Sequence, residues 1–515
     1  MNLFRAFATV GGYTFASRIL GFVRDILIAG ILGAGPVADA FFVAFKLPNF
    51  FRRLFAEGAF NAGFVPLFSD LLANQGTARA RAFAEQALSV LLLTLLIFVT
   101  LAQITMPWLM QVLAPGFVDD PARFDLAVTF TRITFPYLLF ISLVSLMGGV
   151  LNSLHRFAAV AATPVLLNIC LIAAITVAAP HLPSPGHALA WGVAIAGVVQ
   201  LIWLAGACQR AGMGLRLPRP RLTPKVRELL TLMLPAALGA GVVQVNLVID
   251  IILASLLPTG SVSFLFYADR LNQLPIGVVG VAVGTAILPL LSRLVARNDQ
   301  AAALAALNRA IELTLFLALP AMFAFLVVAD ELILTLFQRG HFSHGDAQAT
   351  AFALTAYAVG LPAYVLIKVL GPAFFARRDT KTPVLIGIAA VVVNIILNLI
   401  LMQYLAHAGL ALATAIAAWL NVGLMWLILH RRGDLAADER LLRRLARAVG
   451  AAIIMGALLW WLKGLLSAQL IGGEGQRIGA LAILVVVGLG VYGLAAVLLG
   501  AVQWSEITGL LARRR

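Results

Sequence analysis

Charge is what this chain of 515 residues has least of. Asp, Glu, Lys and Arg make up 11% of it, where a soluble protein carries about 25%. That scarcity excludes an ordinary soluble domain. Cysteine is nearly absent: Cys170 and Cys208 stand alone, both inside apolar runs. This excludes a disulfide framework or thiolate metal cluster, and both read as small core residues. The 7 histidines fall at or near loops and span ends, where they read as interfacial, and none forms a metal-spaced pair. There is no nucleophile–base pair, no Walker loop and no glycine-rich dinucleotide turn. The expectation is a protein that is not an enzyme, with no catalytic residue, no nucleotide and no organic cofactor. A cleavable signal is not evident either. The first apolar run is too long, charges interrupt it, and it is expected to remain as a span.

What the chain has in abundance is apolar sequence, 62% of all residues. It comes in unbroken runs, each long enough for the roughly 20 helical residues that cross a bilayer core. A membrane β-barrel would show short alternating segments instead. The fold class expected is an all-α polytopic membrane protein with 14 transmembrane helices. They lie near 8–34, 37–69, 84–113, 125–154, 158–180, 187–210, 227–257, 261–293, 305–336, 347–376, 382–404, 408–430, 444–466 and 477–502. Pro48, Pro107, Pro136, Pro275 and Pro362 are the internal kink candidates.

The net charge of +15 does not point to nucleic acid, because no basic patch interleaved with aromatics lies on a soluble domain. Basic residues gather instead in alternate loops. One set holds Arg79 and Arg81, His155 and Arg156, Arg210 through Arg227, Arg293, Arg297 and Arg309, Arg377, Arg378 and Lys381, and Arg431 through Arg447. Arg5 and Arg513 to Arg515 put both termini in that set. The other loops, such as HLPSPGH (181–187), PTGS (258–261) and IGGEG (471–475), are nearly free of Lys and Arg. Both termini are therefore expected to be cytoplasmic.

Pieces of the chain recur. FVPLFSDLL (64–72) resembles ILPLLSRLV (287–295), and AATPVLLN (161–168) matches TKTPVLIG (380–387) in position. Each unit holds an even number of spans, so the copies run parallel, one of the two repeat layouts of secondary transporters. The expected organisation is two parallel six-helix repeats plus two appended helices. Residues 1–215 form an N-lobe with helices 1–6, and 216–226 a basic cytoplasmic linker. Residues 227–432 form a C-lobe with helices 7–12, and 433–515 carry helices 13–14 and the C-terminus. The proline-rich linker RLPRPRLTPKVRELL (216–230) fits the anionic face of a membrane.

Charges inside the spans are a functional-site hypothesis by default. The first two spans hold Arg18, Arg24, Asp25, Asp39, Lys46, Arg52, Arg53 and Glu57; the second half holds Asp250, Asp269, Arg270 and Lys368. A central Arg or Asp costs roughly 2.5–3.5 kcal/mol to insert, so the three charges of the first span would oppose insertion by about 8–10 kcal/mol if they faced lipid. Some can pair: Arg24 with Asp25 or Asp39, Arg53 with Glu57 one turn on, Asp269 with its neighbour Arg270. Packing ion pairs are one reading. Cations outnumber acids, however, and a cationic excess in a membrane cavity calls for an anion. Arginine favours phosphate, since its fork donates two parallel hydrogen bonds.

A second set is Asn246 and Asp250 on span seven, Asn394 and Asn398 on span eleven, and Thr414 on span twelve. Such oxygens suit a hard cation such as Na⁺. Interhelical hydrogen bonds would use the same residues. Glycines in GGV (148–150) and GVVGVAVG (277–284) read as close helix packing or flexibility.

SRILGFVRD (17–25), ADAFFVAFKLPNFFRRLFAEGAFNAGFVP (38–66) and YADRLNQLPIGVVGVAVGTAILP (267–289) closely resemble the MurJ/MviN family. These are the lipid II flippases of bacterial peptidoglycan synthesis, within the multidrug/oligosaccharidyl-lipid/polysaccharide exporter superfamily. The resemblance spans essentially the whole chain. It implies two six-helix lobes around a cationic cavity, with the last helix pair grooved for a lipid tail. The implied substrate is lipid II, an undecaprenyl-diphosphate-linked disaccharide pentapeptide, moved from the cytoplasmic to the periplasmic leaflet by alternating access. The alternative is another polyprenyl-diphosphate-linked oligosaccharide, an O-antigen or capsule unit. Substrate-binding residues are expected at Arg18, Arg24, Arg52, Arg53 and Arg270, with Asp25, Asp39, Glu57 and Asp269 as their charge partners. The family's sodium site would fall on Asp250, Asn394, Asn398 and Thr414. Here Asn398 stands where relatives can carry a carboxylate, and Gln273 likewise. Coupling is expected to Na⁺ or to membrane potential. The implied setting is the bacterial inner membrane, among membrane lipids and cell-wall synthesis machinery, as a functional monomer.

Overall fold

The computed structural model describes residues 3–52 and 60–502, with the backbone alone at 3–8, 61–62, 234–243, 281–282 and 285. Among the described residues the regular secondary structure is all helical. The helices are α1 (Leu3–Leu32), α2 (Pro36–Phe51), α3 (Phe60–Leu113), α4 (Pro121–Thr134), α5 (Tyr137–Ser153), α6 (Phe157–Ala161), α7 (Thr163–Ala173), α8 (Pro185–Arg210) and α9 (Pro224–Ser255). They continue with α10 (Ser261–Pro275), α11 (Val281–Ala296), α12 (Gln300–Phe337), α13 (His344–Phe375), α14 (Lys381–Arg431), α15 (Glu439–Leu465), α16 (Ser467–Ile471) and α17 (Glu474–Leu498). Among the described residues, 9 stretches are long and apolar enough to cross a membrane.

Helix starts follow from local chemistry. Asp120, Thr223, Asp299, Ser343 and Asp438 each accept a backbone N–H from the first turn of α4, α9, α12, α13 and α15. That satisfies donors which the helix leaves orphaned. The breaks are less regular. Pro136 separates α4 from α5, and Pro275 ends α10 ahead of a π turn over Ile276–Gly280. Pro48, Pro107 and Pro362 sit inside helices without breaking them. The long helices change direction at Gly76, Val328 and Ala406 instead, each with non-helical backbone angles. At Gly76 the φ of 82° suits the residue that lacks a Cβ. Val328 and Ala406 carry no such mark in the sequence. The Ala406 bend divides α14 where the fold reading expects span eleven to end and span twelve to begin.

The chain divides into two compact units, Met1–Ser263 with Arg339–Phe342, and Phe264–Gln338 with Ser343–Arg515. Helix α9 packs on α3 in the first unit, whereas the repeat reading assigns its sequence to the second lobe. The repeat concerns sequence likeness and the unit concerns packing, so the two divisions need not coincide.

In the first unit α3 packs on α5, α5 on α8, α2 on α4, and α1 on α7. Stacked rings of Phe60, Phe64, Phe68 and Phe83 fill the α3 side. Gly149 of the GGV stretch lets α5 approach: a Cβ there would come 3.1 Å from the Phe64 ring. This is the close-packing role expected of small residues between membrane helices. In the second unit α12 packs on α13 and α15, α13 on α14, and α15 on α17. The Tyr492 hydroxyl of α17 donates to the Phe316 carbonyl at 2.6 Å. Lys463 of α15 donates to the Val327 carbonyl at 2.9 Å, beside the α12 bend. Large apolar side chains point outward: Trp460 is 68% exposed and Leu489 66%. In water this would be an aggregation hazard; against hydrocarbon it is the ordinary outer surface.

Candidate functional site

Arg24 and Asp25 of α1 are both buried. Neighbours on a helix point in different directions, yet the Arg24 stem is long enough to fold back. Its Nε and Nη2 donate to Asp25 Oδ1 at 3.0 and 2.7 Å. Its Nη1 donates to Asn168 Oδ1 at 2.8 Å, and Asn168 Nδ2 donates to the Ser17 carbonyl at 2.9 Å. Asn168 thus ties α7 to α1 and orients the guanidinium. Each nitrogen of Arg24 spends one N–H in this way. A guanidinium has five N–H groups, so one remains on each Nη, uncommitted among the described residues.

Asp39 of α2 is not the partner of Arg24. It is completely buried, and its Oδ2 accepts Arg123 Nη2 of α4 at 2.5 Å. The same carboxylate accepts the Gly260 N–H at 2.7 Å, the Ser263 N–H at 2.9 Å and the Ser263 hydroxyl at 2.6 Å. It therefore serves two masters: a counter-ion for Arg123 and a cap for the first turn of α10. A negative charge is favoured at a helix N-terminus by the exposed N–H groups and the helix dipole. Arg123 also lies 3.7 Å from the centroid of the Phe117 ring.

The remaining expected residues are dispersed in kind. Arg18 is exposed and Lys46 half-buried. Arg52 Nε donates to Asn49 Oδ1 at 3.2 Å. Arg53, Glu57 and Arg513 to Arg515 lie outside the described residues, and Arg5 is described in its backbone alone. In the second unit Arg270 lies over the Phe266 ring, 4.7 Å from its centroid. Asp269 accepts a hydrogen bond from Gln273 Nε2, one helical turn on. Lys368 is exposed, and α11 passes close to it: a Cβ on Gly284 would stand 2.9 Å from the Lys368 carbonyl.

The polar set proposed for a cation divides between the units. Asp250 belongs to the first, where Asn246 Nδ2 donates to its Oδ2 at 3.4 Å. Asn394, Asn398 and Thr414 belong to the second. There Asn398 Nδ2 donates to Asn394 Oδ1 at 3.0 Å, and Asn394 Nδ2 to Thr414 Oγ1 at 3.4 Å. An oxygen that accepts an N–H has less to offer a cation, and this applies to Asn394 Oδ1 and Thr414 Oγ1, whereas Asn398 takes part as a donor. Among the described residues, no group of three or more His, Cys, Asp or Glu is gathered for a metal ion.

Sequence reasoning missed Arg123 and Asn168. Arg123 falls at the start of a span beside Asp119 and Asp120 and reads as a loop charge. Asn168 is a single amide in an apolar run, and nothing in its spacing tells it from a packing residue. The loops at the basic ends show simpler electrostatics. Asp379 accepts the Thr382 hydroxyl at 2.6 Å, the Thr382 N–H at 3.0 Å and Arg432 Nη1 at 2.7 Å. Those three donors hold its carboxyl below the usual carboxylate range.

Long apolar helices that carry buried, hydrogen-bonded charges give this chain the frame of a polytopic transporter. Its fold matches that of a solved multidrug transporter of the MATE family, from the MOP superfamily, in an inward-facing conformation (TM-score 0.65, 17% identity, 81% of this chain and 94% of that one). A likeness to "Lipid II flippase MurJ, inward closed conformation" is greater: TM-score 0.77 and 25% identity over 95% of this chain and 97% of that one. A protein of Rhizobium meliloti (strain 1021) described as "Probable lipid II flippase MurJ" is 47% identical over 89% of this chain and 86% of its own length. The family model described as lipid II flippase MurJ matches residues 28–479. The chain belongs to the lipid II flippase MurJ family.

Proposed function

We propose that this membrane protein moves lipid II from the cytoplasmic to the periplasmic leaflet of the bacterial inner membrane. The observation that carries the site reading is Arg24. It is a buried arginine inside an apolar helix, fixed by Asp25 and Asn168, with two N–H groups still to donate. A diphosphate accepts from such a fork in parallel. Arg24, Arg52 and Arg270 contact the diphosphate, and Arg18 and Arg53 add positive potential. Asp25, Glu57 and Asp269 orient these groups and exchange partners during alternating access, and Asp39, which starts from Arg123, joins that exchange. The polyprenyl tail stays in lipid against α15 and α17, whose outward apolar surface suits it. Membership in the MurJ family favours lipid II over an O-antigen or capsule unit.

The same reading includes fourteen crossings in two parallel six-helix repeats with two further helices, both termini cytoplasmic, and a functional monomer near the cell-wall synthesis machinery. The basic loops at alternate turns support the orientation. Energy comes from membrane potential or Na⁺. One charge crossing 100 mV is worth about 2.3 kcal/mol, enough to bias a cationic binding site. Asp250, Asn394, Asn398 and Thr414 are the residues for Na⁺.

The test is complementation. In cells depleted of their own flippase, the wild-type chain restores lipid II to the outer leaflet, and Arg24→Ala and Arg270→Ala remove that activity at unchanged expression. Failure of well-expressed wild type overturns the function; full transport by both variants overturns the diphosphate assignment. Transport indifferent to Asp250→Ala and to Na⁺ removal rejects sodium coupling.

A further inference from the structure

A groove of about 460 Å³ opens in the first unit, and none of the residues assigned to the substrate lines it. Its walls are apolar, with Leu151, Phe157, Trp203 and Ala207 among them. The indole N–H of Trp203 is committed to the Ala159 carbonyl at 3.0 Å, which fixes the ring as part of the wall. Two cations line the same groove, Arg156 in the turn between α5 and α6 and Arg210 at the end of α8. Both are exposed, and neither has an ion-pair partner among the described residues. Both turns belong to the basic set of loops.

Helix α8 also carries an exposed apolar face. Trp191, Ile195, Val198 and Ile202 are exposed large apolar residues of α8. Their spacing of four, three and four puts them on one helix face. Eleven residues at 1.5 Å per residue make a stripe of about 16 Å, which is half of a hydrocarbon core of about 30 Å. An apolar groove lined by two unneutralised guanidiniums, walled in part by a helix that also carries an exposed apolar face, has the chemistry of a site for a lipid with an anionic headgroup.

We propose that this groove is a binding site for an anionic diacyl phospholipid such as phosphatidylglycerol. Arg156 and Arg210 take the headgroup phosphate, Trp203 and Phe157 flank the glycerol region, and the acyl chains lie along α8. The proposal does not depend on the substrate assignment; it needs only that the chain is embedded in a bilayer.

The full-length protein, purified in detergent, is equilibrated with mixed micelles of phosphatidylglycerol and phosphatidylcholine, and the lipid retained after washing is quantified by mass spectrometry. Wild type retains phosphatidylglycerol in preference, and the double variant Arg156→Gln/Arg210→Gln loses about thirtyfold of that preference, the size expected of two cationic contacts to a headgroup. Arg219→Gln/Arg221→Gln removes the same charge from the linker outside the groove and leaves the preference intact. Ala207→Trp fills the groove and abolishes retention with both arginines present. Three results overturn the site: equal retention of the two lipids, equal loss in the linker variant, or displacement of the lipid by inorganic phosphate or undecaprenyl diphosphate at matched concentration.

Discussion

Removing the Asp39 carboxylate tests the most heavily bonded charge in the chain. Four contacts converge on it: Arg123, two backbone N–H groups and the Ser263 hydroxyl. Asp39→Ala strands Arg123 in a site where it is 3% exposed. Breaking one side of a buried ion pair costs about 3–5 kcal/mol, because the other charge is left unpaired. The Gly260 and Ser263 N–H groups lose their acceptor too, at about 1–3 kcal/mol each where water does not reach them. Arg123→Met is milder. It leaves the carboxylate with three donors at the start of α10, where the helix dipole favours negative charge. The double variant Asp39→Ala/Arg123→Met removes the stranded cation and should recover much of the loss. The coupling energy between the two positions is therefore expected to be at least about 2 kcal/mol, large for residues in direct contact. Thermal unfolding of the purified protein in detergent, followed by intrinsic fluorescence, measures it. If Arg123→Met is as damaging as Asp39→Ala, and the double variant is the sum of both, the account of a carboxylate shared between ion pair and helix cap is wrong.

Three other outcomes follow from the same geometry. Asn168→Ala removes the acceptor of Arg24 Nη1 and should lower stability by about 1.5–3 kcal/mol and reduce lipid II transport. Asn168→Asp keeps an acceptor and should retain more of both, and equal transport by the two variants would reject the orienting role. Gly340 has a φ of 55°, and a Cβ there would lie 2.1 Å from the Gly30 carbonyl oxygen. Gly340→Ala should sharply reduce folded yield, whereas Gly212→Ala, with positive φ but open space around it, should cost only the roughly 1–2 kcal/mol of a left-handed backbone. At Asp379 the folded carboxyl sits below its unfolded value of about 3.9, so its stabilising contribution is complete above that pH and fades as pH falls below about 4. The melting-temperature gap between wild type and Asp379→Asn should be constant from pH 7 to 5 and shrink toward pH 3; a gap that widens on acidification contradicts it.

The placement of polar groups is the reverse of a soluble protein's. Outward faces carry Trp460, Trp461 and Leu489, while Asn394, Asn398 and Asn308 are buried. Unsatisfied polar groups are costly in hydrocarbon, and these amides bond inward: Asn398 to Asn394, and Asn308 to the Ala436 carbonyl at 2.9 Å. The loop after α14 is pinned in the same way, with Arg377 on Asp434 at 2.8 Å and Gln300 on the Gly433 carbonyl at 3.0 Å.

The sequence by itself determined the helical membrane class and the presence of charges that hydrocarbon does not tolerate. Those properties are local: a run of about 20 apolar residues satisfies its own backbone only as a helix, and an arginine inside it carries its cost wherever the chain goes. The motifs around Arg24, Arg52 and Arg270 likewise carried the family. Partners were decided only in three dimensions. Asp25 and Asp39 are equally plausible acids for Arg24 along the chain, but α7 brings Asn168 to Arg24 and α4 brings Arg123 to Asp39 from 84 residues away. The bends at Val328 and Ala406 were also tertiary decisions, since neither residue prefers such angles alone. A buried charge takes the neighbour that packing supplies, and packing between distant helices has no period in the sequence.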